Sequence, residues 1–221
     1  MERFLLLPRV YPIIDTASLE RCGGLSPVSF AAALLEGGAK LIQFRHKGFF
    51  GATAFDLARQ IHKLAAEAGA ALIINDRADV AKLLGCGVHL GQEDLAPADA
   101  RIVLGDAVAI GYSTHNAAQL QAGDRQPVHY LAIGPIFTTS SKERLDPVVG
   151  LDGLRTVRAL TAKPLVAIGG ISETQAQAVW AAGADTIALI SGLIPSPLQP
   201  ASVRRRMELW RKLGEQAAGM V

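Results

Sequence analysis

The sequence predicts a single-domain α/β protein of the (β/α)8 TIM-barrel class occupying residues 1–221. Three observations predict it. Short apolar or β-branched runs alternate with Ala/Leu-rich segments of helical period along the whole chain, and eight such units fit its length. Strict alternation implies parallel strands joined by right-handed crossovers. No Gly-x-Gly-x-x-Gly turn follows the first strand, which disfavours an open doubly wound sheet.

After a leading segment, 1–10, the strands are expected at Tyr11–Asp15, Leu41–Arg45, Ala71–Asn75, Gly87–Leu90, Val108–Ser113, Tyr130–Gly134, Leu165–Ile168 and Thr186–Ile190. Helices are expected near 26–37, 53–68, 79–84, 97–104, 116–122, 152–161 and 173–182, with a final one at about 199–217. Ser26-Pro27 reads as an N-cap followed by proline at the first helical position. Gly37-Gly38, Gly69 and Gly183 fall where helices should stop. In the last helix Val203, Met207, Trp210 and Leu213 form an apolar stripe, and Arg204, Arg205 and Arg206 lie beside it as a wet face rather than a nucleic-acid patch.

Half of the residues are hydrophobic, enough for a sizeable core. Lysine plus arginine number 22 against 20 acids, so a generic nucleic-acid or membrane surface is not expected and an anionic partner must meet a local cluster. Cys22 and Cys86 have no paired spacing, which points to reduced thiols in a cytoplasmic protein. No run approaches the roughly 18 apolar residues of a membrane span.

In a barrel, alternate strand residues point inward, and polar groups at the carboxyl ends of strands face the mouth. Gln43, Arg45 and Lys47 at spacing two should therefore face one way, with Phe44 and His46 turned to the helices. Asn75-Asp76-Arg77 ends the third strand and Gly91-Gln92-Glu93-Asp94 follows the fourth, making Asp76 and Asp94 candidate ligands for Mg2+. Arg77 is an alternative partner for one of these acids. Ser113-Thr114-His115 closes the fifth strand; His115 is a proton carrier or a satisfied cap, and His62 and His89 read as structural.

After the sixth strand, Thr138-Thr139-Ser140-Ser141-Lys142 offers hydroxyls and an ammonium suited to phosphate. Gly169-Gly170 after the seventh strand and Ile190-Ser191-Gly192 after the eighth lie where such barrels hold a phosphate on backbone N–H groups. Two anion sites on one mouth follow, one metal-assisted and one metal-free. Two small phosphorylated substrates, one of them a diphosphate with Mg2+, are the partners this predicts.

With these motifs assembled, Gln43-Phe44-Arg45-His46-Lys47, Ile74-Asn75-Asp76-Arg77, His89 through Asp94, Ser113-Thr114-His115, Gly134 through Lys142 and Ala167 through Ile171, the chain resembles the thiamine-phosphate synthase and thiazole tautomerase family from about Tyr11 to Leu193. The resemblance implies that a hydroxymethylpyrimidine diphosphate loses pyrophosphate and is captured by a thiazole phosphate, in a dissociative reaction assisted by Mg2+. It implies that Gln43, Arg45, Lys47, Asn75 and Lys142 hold the pyrimidine diphosphate and that Ser113 contacts it. Asp76 and Asp94 would carry the metal, Thr139 and Ser141 would meet the thiazole, and Gly170, Ile190 and Ser191 would seat its phosphate. Arg45, Ser113 and Lys142 are the residues expected closest to the chemistry.

The chain departs from the family pattern at His46 (usually glutamate), Thr138 (usually proline) and Ser141 (usually threonine). A tautomerase would typically lack Asn75, Asp76 and Asp94, so their presence favours the synthase. A thiazole phosphate isomerase using His115, or a non-catalytic phosphate-binding regulator, is the alternative; a homo-oligomer is compatible with either.

Overall fold

The computed structural model describes residues 7–139 and 146–219. Eight parallel strands close into a barrel in sequence order, with the first paired to the last. They are β1 Val10–Asp15, β2 Leu41–Arg45, β3 Ala71–Asn75, β4 Gly87–Leu90, β5 Ile110–Thr114, β6 Tyr130–Ile133, β7 Leu165–Ile168 and β8 Thr186–Leu189. β2, β3, β4 and β7 have the expected bounds, and the other four strands differ by one or two residues, most at β5, which runs from Ile110 to Thr114.

The helices of the outer layer are α1 Thr16–Arg21, α2 Pro27–Glu36, α3 Ala52–Glu67, α4 Ala78–Leu84, α5 Pro97–Leu104, α6 Ala117–Asp124, α7 Gly150–Arg158, α8 Glu173–Ala181 and α9 Pro200–Ala218. Helix α1 was not expected. The signal lies in Asp15, whose side chain accepts from the Ser18 N–H and so caps a short helix directly after β1. Ser26 caps α2 as anticipated, by accepting from the Ser29 N–H.

The cores follow from period. In α3, Ala54, Ala58, Ile61 and Ala65 recur every three or four residues and are buried against the sheet. In α9 the buried stripe is Val203, Met207, Trp210, Gly214 and Ala217, so it passes through Gly214 rather than the expected Leu213, which is half-buried. Arg204 and Arg205 are exposed, and Arg206 pairs with Glu173 of α8.

Inside the barrel, Tyr11, Ile13, Leu41, Ile73, Tyr130 and Val166 belong to a second, separate buried cluster. Register carries polar side chains into the same interior: Gln43 sits between Ile13 and Ile73, while His89 lies between Asn75 and Gly111, which itself pairs with Tyr130. Gly111 makes room for that ring, since a Cβ there would stand 2.0 Å from Cζ of Tyr130.

Candidate active site

The cationic side of the mouth is built on β2. Gln43 is buried, Arg45 is two residues further along the same face, and Lys47 lies just beyond the strand. Phe44 and His46 point the other way: Phe44 is fully buried in the outer core, and the His46 ring accepts or donates at 2.9 Å to the Thr16 hydroxyl. Arg45 is tied to a residue that sequence reasoning missed, since its guanidinium forms an ion pair with Asp15, its register partner on β1. Burial would raise the Asp15 pKa, but bonds from Ser18 and the charge of Arg45 outweigh it and hold the carboxyl below its ordinary value. The period-two set Tyr11, Ile13, Asp15 could have flagged that acid as inward-facing.

Across the β3 end, Lys47 Nζ lies 2.5 Å from Asp76 Oδ2. Asp76 holds a left-handed backbone, with φ at 63°, where the chain turns out of β3 and its N–H bonds the His89 carbonyl. Aspartate is among the few residues with a side chain that adopt this conformation readily. Burial and the facing Asp94 carboxyl raise the Asp76 pKa, against the pull of Lys47. Asp94 is itself aimed by the Gly91 N–H, which donates to its Oδ2 at 2.6 Å. Two facing carboxylates, one already disfavoured as an anion, are a seat that a hard cation would relieve. Among the described residues no third His, Cys, Asp or Glu joins them. Beside them the Asn75 Nδ2 is buried, and the described residues offer it no hydrogen-bond acceptor. Arg77 pairs with Asp79 instead of either acid.

Below these groups runs a buried chain of hydrogen bonds that crosses the barrel. Gln43 Nε2 donates to Tyr11 Oη at 2.9 Å, and Tyr11 Oη lies 3.2 Å from Tyr130 Oη. Tyr130 Oη lies 3.0 Å from His89 Nδ1, and His89 Nε2 lies 2.8 Å from Ser113 Oγ. Burial pushes both phenols above their ordinary range, so they stay protonated. His89 is buried and bonded on both ring nitrogens, in keeping with the structural reading, and its bonds join the interior to Ser113. Polar residues at inward positions of β1, β4 and β6 are the signal that was available for it. His115 is satisfied at the rim, with Nδ1 2.7 Å from the Gly134 carbonyl and 3.4 Å from Asp146 Oδ2.

The opposite side of the mouth holds a small apolar cavity of about 70 Å3 lined by Gly134, Thr139, Gly170, Ile190 and Ser191 among others. It brings together the expected Thr139, Gly170, Ile190 and Ser191. The loop after β6 continues along β7, with the Ile136 N–H on the Ile168 carbonyl at 2.9 Å and the Phe137 N–H on the Gly169 carbonyl at 3.0 Å. Gly170 permits that approach, because its φ is 66° and a Cβ would lie 2.4 Å from the Thr138 oxygen. Ser191 begins a 3-10 turn, Ser191–Leu193, at the end of β8. Ser141 and Lys142 lie outside the described residues.

Comparison with known proteins agrees with this geometry. Residues 10–193 match the family model described as thiamine monophosphate synthase. A thiamine-phosphate synthase of Koribacter versatilis is 48% identical over 204 residues, covering 90% of this chain and 94% of that protein. One from Laribacter hongkongensis is 38% identical over 200 residues, covering 90% and 92%. The structure of a thiamine phosphate pyrophosphorylase from Pyrococcus furiosus superposes with a TM-score of 0.82 at 30% identity, covering 95% of this chain and 96% of that one. On the strength of these matches along nearly its whole length, the chain belongs to the thiamine monophosphate synthase family.

Proposed function

We propose that this enzyme condenses 4-amino-2-methyl-5-hydroxymethylpyrimidine diphosphate with a thiazole phosphate, giving thiamine phosphate and pyrophosphate. The observation that carries the reading is the different lining of the two sides of one mouth. The β2–β4 side has opposed carboxylates, cations and the unpartnered Asn75 amide; the β6–β8 side has a glycine-lined cavity without acids.

In the reaction the C–O bond between the pyrimidine methylene and the diphosphate breaks, its electron pair leaving with pyrophosphate. The thiazole nitrogen then supplies the pair for the new C–N bond. No nucleophile of the protein is needed, so the chain's work is to neutralise the leaving group and align the two partners. Asp76 and Asp94 fit Mg2+, which when bound supplies charge to the diphosphate oxygens. Arg45, oriented by Asp15, and Lys47 add positive charge, and Asn75 and Ser113 donate hydrogen bonds on the same side. Gln43 orients the pyrimidine. Gly170, Ile190 and Ser191 hold the thiazole phosphate, with Thr139 beside the ring. Ser141 and Lys142 carry the roles that the resemblance implies, the thiazole contact and the leaving-group cation. Cys22 and Cys86 are free thiols, in keeping with a cytoplasmic location, and no helix among the described residues is long and apolar enough to cross a membrane.

The test is turnover. Incubated with both substrates and Mg2+, the purified protein should release one pyrophosphate for each thiamine phosphate formed. Isomerisation of the thiazole phosphate with no use of the diphosphate, or binding of both without product, would contradict the reading.

A further inference from the structure

The hydrogen-bond chain beneath the mouth has a direction. Gln43 Nε2 can only donate, so Tyr11 Oη accepts from it at 2.9 Å. The single Tyr11 proton then goes to the other group in reach, the Tyr130 hydroxyl at 3.2 Å. Tyr130 Oη, having accepted, gives its own proton to His89 Nδ1 at 3.0 Å. That nitrogen must present a lone pair, which puts the ring proton on Nε2, from where it is donated to Ser113 Oγ at 2.8 Å. Ser113 is thereby filled as an acceptor on its inner side, and its own hydroxyl proton turns outward. Each hydroxyl has one proton, so the whole chain takes one of two polarities. Turning the Gln43 amide over would reverse every link, move the His89 proton to Nδ1 and turn the Ser113 hydroxyl inward.

We propose that Tyr11, Tyr130 and His89 are positioning residues forming a polarity relay, which holds His89 as the Nε2–H tautomer and presents Ser113 as a hydrogen-bond donor to the substrate while Gln43 Oε1 is left as an acceptor. The substrate class this favours carries N–H on a heterocycle at one end and an anionic oxygen at the other. Either contact favours the same polarity, so the two ends reinforce each other across the barrel. The assignment of that substrate rests on the function proposed above, whereas the tautomer itself does not.

The experiment is 15N NMR of the histidine rings in the full chain, in mildly alkaline buffer above the ordinary histidine range. His89 is assigned by loss of its signal in His89→Gln. The expected result is a protonated Nε2 and an unprotonated Nδ1. In Tyr11→Phe, which touches neither His89 nor Ser113 in the chain, both tautomers should become populated and the KM for the pyrimidine diphosphate should rise roughly tenfold. Tyr130→Phe, cutting the next link, should do the same, and whichever variant folds decides the matter. A merely structural role for the tyrosines would lower stability and leave the tautomer unchanged. A protonated Nδ1 in the unaltered protein, or an unchanged Nε2–H signal in the folded variants, would overturn the relay. The expected ring pattern without condensation activity would uphold the relay and remove the functional reading instead.

Discussion

Replacing Asp76 by alanine is expected to lower kcat about a thousandfold, a loss of roughly 4 kcal/mol of transition-state stabilisation at the departing diphosphate. The fold should survive it. Asp76 is raised in pKa by burial and by Asp94, so its ionised form is disfavoured in the folded protein. A carboxyl with a raised folded pKa gives its full stabilising contribution below the unfolded pKa, and that contribution is lost as pH rises through the folded value. Asp76→Asn should therefore be at least as stable as the unaltered protein at neutral pH without metal. The gain in melting temperature on acidification toward the ordinary carboxylate range should be smaller in the variant. Lys47, its partner at 2.5 Å, is half-exposed and loses little when released into water. Thermal melts across pH, alongside the rate measurement, separate the chemical role from a structural one: a rate near normal with saturating Mg2+ would remove Asp76 from the metal site.

The second large effect is expected at Gly170. Alanine there must adopt a left-handed backbone at φ 66° and place Cβ 2.4 Å from the Thr138 oxygen and 2.8 Å from the Phe137 carbonyl. The conformation alone costs about 1–2 kcal/mol, and the contact pushes the β6 loop away from β7. Because that loop carries Thr139 to the cavity, the thiazole phosphate KM should rise by roughly two orders of magnitude. Binding of the pyrimidine diphosphate, which the proposed function places on β2–β4, should change little. Initial rates with each substrate varied in turn read the difference; equal losses in both KM values would mean that the two sides of the mouth are not separate sites.

How much of this was legible in the sequence depends on what each feature answers to. The barrel itself was, because buried parallel strands and amphipathic helices write their periods plainly, and Gln43, Arg45 and Lys47 alternate against Phe44 and His46 in the way the strand requires. The polar strand ends were legible for the same reason. Hidden were the contacts that need two strands at once. Asp15 became the partner of Arg45 only through the β1–β2 register, and His89 gained its partners only because Gly111 admits the Tyr130 ring. The α1 helix was missed because six residues hold too little period to announce themselves, leaving one capping aspartate as the sign. The boundary of β5 shifted because the Thr114 hydroxyl, which reads as the start of a loop, is buried and bonded to the Ala132 carbonyl at 2.8 Å.

The most direct measurement of the central claim is calorimetric titration of the full protein with inorganic pyrophosphate and with thiazole phosphate, each with and without Mg2+. Two distinct anion sites on one mouth predict that pyrophosphate binding depends on Mg2+ and is lost in Asp76→Ala, while thiazole phosphate binds with or without metal and survives that substitution. Pyrophosphate binding that needs neither Mg2+ nor Asp76, or competition of the two ligands for one seat, would contradict it.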